Sequence, residues 1–268
     1  MTAEISAALV KELRDRTGAG RMDCKRALQE ANGDMEAAIV LLRERGMAGV
    51  AKRAGRVTTE GLVGYRLADD GTRGTMVAVG CETEPVSKSD EFRAFAKKAL
   101  DAVDAGGLGA EAELETERTE LAAKLGENIV VAGAARFEAV DGARITAYAH
   151  PPANKLGVLA QVRGGTAELA RQVAMHIASA APQWITREDV PDEILAAERE
   201  IYANTDEVQS KPEQARDKIV EGMLNKRFFG ANVLADQEWI WDGSKTVAQA
   251  LQEAGAQVLE FQRFSLAG

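Results

Sequence analysis

Two cysteines and two histidines are the chain's only thiols and imidazoles, the side chains from which most zinc sites and nucleophile–base pairs are made. Cys24, Cys81, His150 and His176 are scattered over three regions, with none of the short ligand spacings of a zinc site. Neither a metal centre nor a nucleophile–base pair is expected from them. Gly243-Ser244-Lys245-Thr246 has the look of the end of a phosphate-binding loop. That loop needs lysine directly after glycine, and another glycine five positions before that pair. Ser244 intervenes and Glu238 holds the earlier position, so the segment reads as a turn and the N-cap of a helix starting near Val247. His176, one residue before Ile177 on an apolar helix, reads as a packed side chain. Asp69-Asp70 stands before Gly71 as a turn signal. Trp239 and Trp241 alternate on one strand face, which suggests core or interface packing rather than base stacking.

The composition narrows the function classes further. Hydrophobic residues make up 46% of the 268 positions and charged residues 28%, the balance of a folded globular chain. The length corresponds to about two domains. A net charge of −9 argues against a general nucleic-acid binder, whose affinity comes mainly from neutralising phosphates. Two cysteines are too few for a disulfide framework, and a reduced, cytoplasmic setting is the default. The first residues alternate apolar and charged types instead of forming a signal-peptide core. No run of about 18 apolar residues suggests a membrane span. What remains is a well-folded acidic chain without an evident active site.

The elements follow from periodicity and caps. Residues 1–50 are expected to form a three-helix unit. Its first helix carries Leu9, Val10 and Leu13 with Ser6 as N-cap, and stops at Thr17-Gly18-Ala19-Gly20. The second runs from about Met22 to Ala31. The third is capped by Asp34, shows Met35, Ala38, Ile39 and Leu42 on one face, and is expected to end at Gly46. The basic residues Lys52, Arg53 and Arg56 fall in or beside a linker placed at 51–60, as a solvated hinge or an anionic-ligand patch. A period of two begins at Gly61, with Leu62, Val63, Tyr65 and Leu67 forming one arm of a hairpin and Thr75–Val79 the other. Ser87 and Asp90 resemble a capping box before a helix whose apolar positions are Phe92, Phe95, Ala96, Ala99, Leu100 and Val103. A second helix spans about Glu111–Leu125.

The same order then recurs: strands at Ile145–Tyr148 and Gly157–Val162, and a helix through Leu169, Val173, Ile177 and Ala180. Strand pair then helix, twice, predicts an α+β fold of two related subdomains, at 61–140 and 141–268. Within the second, residues 191–228 read as an αα-hairpin with Pro191 at its first N1 position, either protruding as a short antiparallel coiled coil or lying on the core. A strand at Trp239–Trp241, a helix at Val247–Ala254 and a strand at Val258–Phe264 complete it.

Two segments carry a resemblance. Val10 to Leu28, with Arg14-Asp15-Arg16-Thr17-Gly18-Ala19-Gly20-Arg21-Met22 at its centre, and Cys81-Glu82-Thr83-Glu84-Pro85-Val86-Ser87-Lys88 closely resemble the bacterial elongation factor Ts family. Ala31-Asn32-Gly33-Asp34, Met175-His176-Ile177-Ala178 and Ser244-Lys245-Thr246-Val247 extend the likeness over nearly the whole chain. The resemblance implies a ubiquitin-associated-like N-terminal domain, a core of two α+β subdomains with antiparallel sheets, and an αα-hairpin. It implies a guanine nucleotide exchange factor, not an enzyme with covalent chemistry, and no cofactor. The implied partner is elongation factor Tu, GDP-bound and nucleotide-free, met by a monomer or homodimer without direct nucleic-acid or membrane contact.

The resemblance also assigns contacts. Arg14, Arg21 and Met22 would touch the GTPase's nucleotide domain; the family has a second apolar residue where this chain has Arg21. Met22 either makes that contact or packs inside the three-helix unit. The family's central motif, Thr-Asp-Phe-Val, presses between two helices of the GTPase and disturbs its Mg²⁺ site. The matching residues are Thr83, Glu84, Pro85 and Val86. Glutamate keeps the charge one methylene further out, while proline replaces the ring and biases Glu84 toward an extended backbone. The alternative function is therefore a binding or chaperone-like partner of the same GTPase, with exchange weakened by Pro85. His150 aligns with a family histidine near contacts to the GTPase's outer domain.

Overall fold

The computed structural model describes residues 5–267. Three helices come first: α1 (Ala7–Thr17), α2 (Arg21–Glu30) and α3 (Met35–Arg53). Ser6 Oγ accepts from the Leu9 amide, and Asp34 Oδ1 from the Ala37 amide, so both caps expected from the sequence are present. Gly18 turns α1 off in the left-handed region at φ 68°. Val10, Leu13, Cys24, Ala27, Leu28 and Ala38 are the buried centre of this unit.

The third helix does not end at Gly46 but runs on to Arg53. Gly46 is a close-approach residue: a Cβ there would lie 2.8 Å from the Ala123 Cβ. The helix thereby docks on a later helix, and its Val50 is buried in that helix's core cluster. The start of the expected linker, with Lys52 and Arg53, is thus helical.

The chain then forms β1 (Glu60–Leu67) and β2 (Arg73–Cys81), the one-turn helix α4 (Glu84–Ser87), α5 (Asp90–Gly106), α6 (Glu115–Leu125) and β3 (Val130–Glu138). The three strands make an antiparallel sheet in the order β1-β2-β3, with Glu60 opposite Cys81 and Leu67 opposite Gly74. Asp70 Oδ1 accepts from both the amide and the hydroxyl of Thr72 in the first turn. The expected Ser87–Asp90 capping box is not the start of α5. Ser89 is its N-cap and accepts from the Phe92 amide, because α4 carries the chain one turn further before α5 begins.

The second half contains β4 (Ala143–Ala149), β5 (Leu156–Arg163), α7 (Ala167–Ala180), α8 (Asp192–Ala203), α9 (Asp206–Gln209), α10 (Glu213–Met223), α11 (Gly230–Asn232), β6 (Glu238–Trp239), β7 (Asp242–Thr246), α12 (Val247–Glu253) and β8 (Gln257–Ser265). A second antiparallel sheet has the order β4-β5-β8, and β6-β7 is a separate ribbon. Pro191 is the N-cap of α8 rather than its first residue. Thr246 and Gln249 form a capping box on α12, where the Gly-Ser-Lys-Thr segment ends.

The two sheets stack face to face between helices. On β2, Met76 and Ala78 meet Ile145 and Leu159 of the second sheet and Leu266 just after β8, while Val77 and Val79 meet Phe92, Phe95, Ala99 and Val103 of α5. On β5, Val158, Ala160 and Val162 meet Val173, Ala174 and Ile177 of α7. Strands covered on both faces need no polar alternation, which is why β2 reads as one apolar run. Each fully buried phenylalanine of α5 contributes about 1.5–3 kcal/mol.

The hairpin of α8 and α10 carries a cluster of its own. Val190, Val208, Val220, Met223, Leu224, Phe228, Phe229 and Val233 pack together beside Trp184. Its outer face leaves Ile194 and Ile201 exposed. Among the described residues no helix is long and apolar enough to cross a membrane.

Candidate functional site

The chemistry-bearing residues are spread over separate cores. Cys24 is buried in the three-helix unit, and Cys81 at the end of β2. The Cys81 thiol donates to the Thr83 carbonyl at 3.4 Å. Burial, helped by the nearby Glu127 carboxylate, pushes this thiol up to about 12, so it stays protonated and unreactive. His176 is fully buried, 3.0 Å from Gln237 Oε1 through Nε2, and stacked on Trp239 at 5.2 Å. Burial lowers its pKa and keeps it neutral. Of the two tryptophans read as core or interface packing, Trp239 is a core residue and Trp241 is 48% exposed in the β6–β7 turn. Among the described residues no three His, Cys, Asp or Glu side chains cluster as a metal site.

Three exposed regions hold the residues singled out from the sequence. The first is the end of β2. Thr83, Glu84 and Pro85 are exposed and Val86 is half-buried against the α5 core. Glu84 is not extended, as expected for a residue before proline, but opens α4. Proline near a helix start sacrifices no hydrogen bond, because the first amides of a helix have no partner within it. Amides of Ser87 and Lys88 bond back to the carbonyls of Thr83 and Glu84, both at 3.1 Å. The Lys88 ammonium, 2.6 Å from Glu84 Oε1, closes the turn and holds the Glu84 carboxyl below the usual range. The tip therefore presents a carboxylate, paired with Lys88, beside the ring of Pro85.

The second region is the α1–α2 turn. Arg14 and Arg21 are exposed and line one shallow depression of about 300 Å³ with Ala7, Val10, Lys11 and Asp15. Met22 is 64% exposed, so it is no part of the three-helix core. An unbranched, exposed thioether is suited to an adaptable protein contact.

The third region is the turn after β4. His150 is exposed, with Nδ1 2.7 Å from the Tyr148 hydroxyl. The following residues fold back onto the first sheet: the Asn154 carbonyl accepts from the Val63 amide at 2.7 Å, and Lys155 pairs with Glu60. A cleft of about 350 Å³ lies between this turn and the tip, with Pro152 and Lys155 on one side and Glu84, Lys88 and Arg93 on the other. The tip and the His150 turn are thus neighbours. The α1–α2 residues line a separate depression.

Sequence reasoning passed over the residues under the tip. Glu127 Oε2 accepts from the amides of Glu82 and Thr83, at 3.1 and 3.0 Å. A carboxylate that binds backbone amides leaves no side-chain pattern to detect, and the only cue was Gly126 closing α6 just before it.

Comparison with known proteins gives a consistent result. A family model described as elongation factor TS matches residues 82–268. Elongation factor Ts of Thioalkalivibrio sulfidiphilus is 42% identical over 272 residues, spanning 98% of this chain and 92% of that protein. The Enterobacter sp. strain 638 protein of the same name is 42% identical over 268 residues, with the same coverage. That of Methylococcus capsulatus is 40% identical over 273 residues.

Proposed function

The chain belongs to the elongation factor Ts family, and from that premise we propose that it binds elongation factor Tu and promotes release of its GDP, so that GTP can rebind during translation elongation. Exchange of this kind is linkage. A partner that prefers the nucleotide-free GTPase must weaken nucleotide binding by the same factor by which nucleotide weakens the partner. Couplings of about 1–3 kcal/mol are typical, and all of it must come from interface contacts. Such a protein needs placed surface residues rather than reactive ones, and acts where the translation machinery works, in the cytoplasm.

The observation that carries this reading is the tip. Glu84 and Pro85 stand exposed at the start of α4, with the glutamate paired to Lys88 and the ring held by the helix. In the proposed mechanism this pair enters between helices of the GTPase and disturbs the Mg²⁺ and nucleotide site. Arg14, Arg21 and Met22 hold the nucleotide domain, and His150 approaches the outer domain. We assign no cofactor and no nucleic-acid contact.

Pro85 favours a second reading, a binding or chaperone-like partner with weak exchange. An aromatic anchor at an interface centre is worth 2 kcal/mol or more, about 30-fold, and a proline ring offers less area. One experiment separates the two: release of labelled GDP from elongation factor Tu with the wild-type chain and with Glu84→Ala. Faster release that falls in the variant supports exchange through the tip. Tight binding without acceleration supports the second reading.

A further inference from the structure

A four-residue helix cannot hold its own pose. Nucleating a helical turn fixes several dihedrals for one hydrogen bond, and α4 is little more than that nucleus. Its orientation must be imposed from both ends. On the far side Val86 packs on the α5 core and Ser89 caps α5. On the near side the structure offers Glu127.

Thr83 is the N-cap residue of α4, yet its side chain makes no cap bond to that helix. The hydroxyl instead donates to Glu127 Oε1, while Glu127 Oε2 takes the amides of Glu82 and Thr83 at 3.1 and 3.0 Å. Bonds to an ionised acceptor are about twice as strong as neutral ones. Glu127 is itself placed by Gly126, which ends α6 in the left-handed region at φ 74°. The link is reciprocal. Glu82 Oε1 accepts from the Asn128 amide at 2.6 Å, and Glu82 Oε2 lies 3.3 Å from Arg56 Nη1. Asn128 is buried and donates through Nδ2 to the carbonyls of Ala54 and Arg56, at 3.3 and 2.9 Å. The exit of α3, the α6–β3 turn and the base of the tip are therefore one hydrogen-bonded unit.

We propose that Glu127 is a positioning residue for nucleotide exchange: its three hydrogen bonds to Glu82 and Thr83 fix the base of α4, and so aim Glu84 and Pro85, without contact of its own with the GTPase. The inference rests on the exchange reading above. A residue acting only through the tip affects the release step more than complex formation, since the α1–α2 contacts are untouched. It also has nothing left to act through once the tip is blunted.

The test is release of labelled GDP from elongation factor Tu across a concentration series of wild type, Glu127→Ala, Glu84→Ala and the double variant. Glu127→Ala is expected to lower the saturating release rate about fivefold or more, with the half-saturating concentration moving less than about twofold. In the Glu84→Ala background the same change is expected to add less than about twofold. Glu127→Gln, which keeps one acceptor oxygen, should restore part of the rate. If Glu127→Ala does not fold, Glu127→Gln, with a smaller expected loss of rate, carries the same comparison. A wild-type chain that accelerates release alongside a Glu127→Ala chain that matches it overturns the inference alone, as do multiplicative effects in the double variant. A wild-type chain without acceleration overturns the exchange reading, and the inference with it.

Discussion

Replacing His176 by glutamine should flatten the dependence of stability on pH. The imidazole is fully buried between Trp239 and Gln237, and burial lowers its pKa from the ordinary 6.5. In the unfolded chain the same side chain regains its ordinary value. Between the lowered folded value and 6.5 the unfolded state therefore binds the extra proton, so stability falls as pH drops through that window and is flat above it. The steepest loss one such group can produce is about 1.4 kcal/mol per pH unit. From about pH 7.5 to about pH 5.5 the total reaches at most about 1.4 kcal/mol, the limit in which the folded site stays neutral. With a urea dependence of about 1.5–3 kcal/mol per molar, the unfolding midpoint moves by roughly 0.5–1 M. Tryptophan fluorescence is a clean probe, because all three tryptophans, Trp184, Trp239 and Trp241, lie in the second half of the chain. Glutamine can still donate to Gln237 and leaves every carboxylate unchanged, so the difference between the two pH profiles isolates the histidine. Parallel profiles across the window would show that His176 carries none of the pH dependence.

The stacking of the two sheets and the α1–α2 surface give two further tests. A Cβ at Gly133 would meet the Phe264 ring at 2.5 Å, so Gly133→Ala should cost about 1–3 kcal/mol as overpacking; an unchanged melting temperature in scanning calorimetry contradicts the face-to-face packing. Met22 is mostly exposed, so Met22→Ala should change stability by less than about 0.5 kcal/mol while weakening binding to elongation factor Tu severalfold in titration calorimetry. Unchanged affinity removes Met22 from the interface.

The elements most legible in the sequence are those with one strongly apolar face. The six apolar positions of α5 are all buried, and Ser6, Asp34 and Thr246 cap where their types suggest. The strand β3 was not legible. Its middle, Ala132-Gly133-Ala134-Ala135, holds none of the branched and aromatic residues that mark strands, and part of the reason is steric: Phe264 lies over Gly133. The second half of α3 was hidden by Gly46, whose missing Cβ serves the contact with Ala123 rather than a helix end. At the candidate site the limits are different. Glu84, Pro85, Arg14 and Arg21 are exposed, so no burial pattern marks them, and only the family resemblance singled them out. Met22 and Trp241 were ambiguous for the same reason: an apolar side chain in a sequence does not say whether its face is covered. The helical backbone at Glu84 follows from the α4 turn and its Lys88 pair, which override the local bias of a residue before proline.

The proposed activity is acceleration of nucleotide exchange through a charged, proline-tipped helix. Stopped-flow release of labelled GDP from elongation factor Tu tests it most directly. Catalytic amounts of the wild-type chain are expected to accelerate release well above the spontaneous rate, and Glu84→Ala to lose most of that acceleration while keeping its fold. A wild-type chain that binds the GTPase but leaves the release rate unchanged would contradict it.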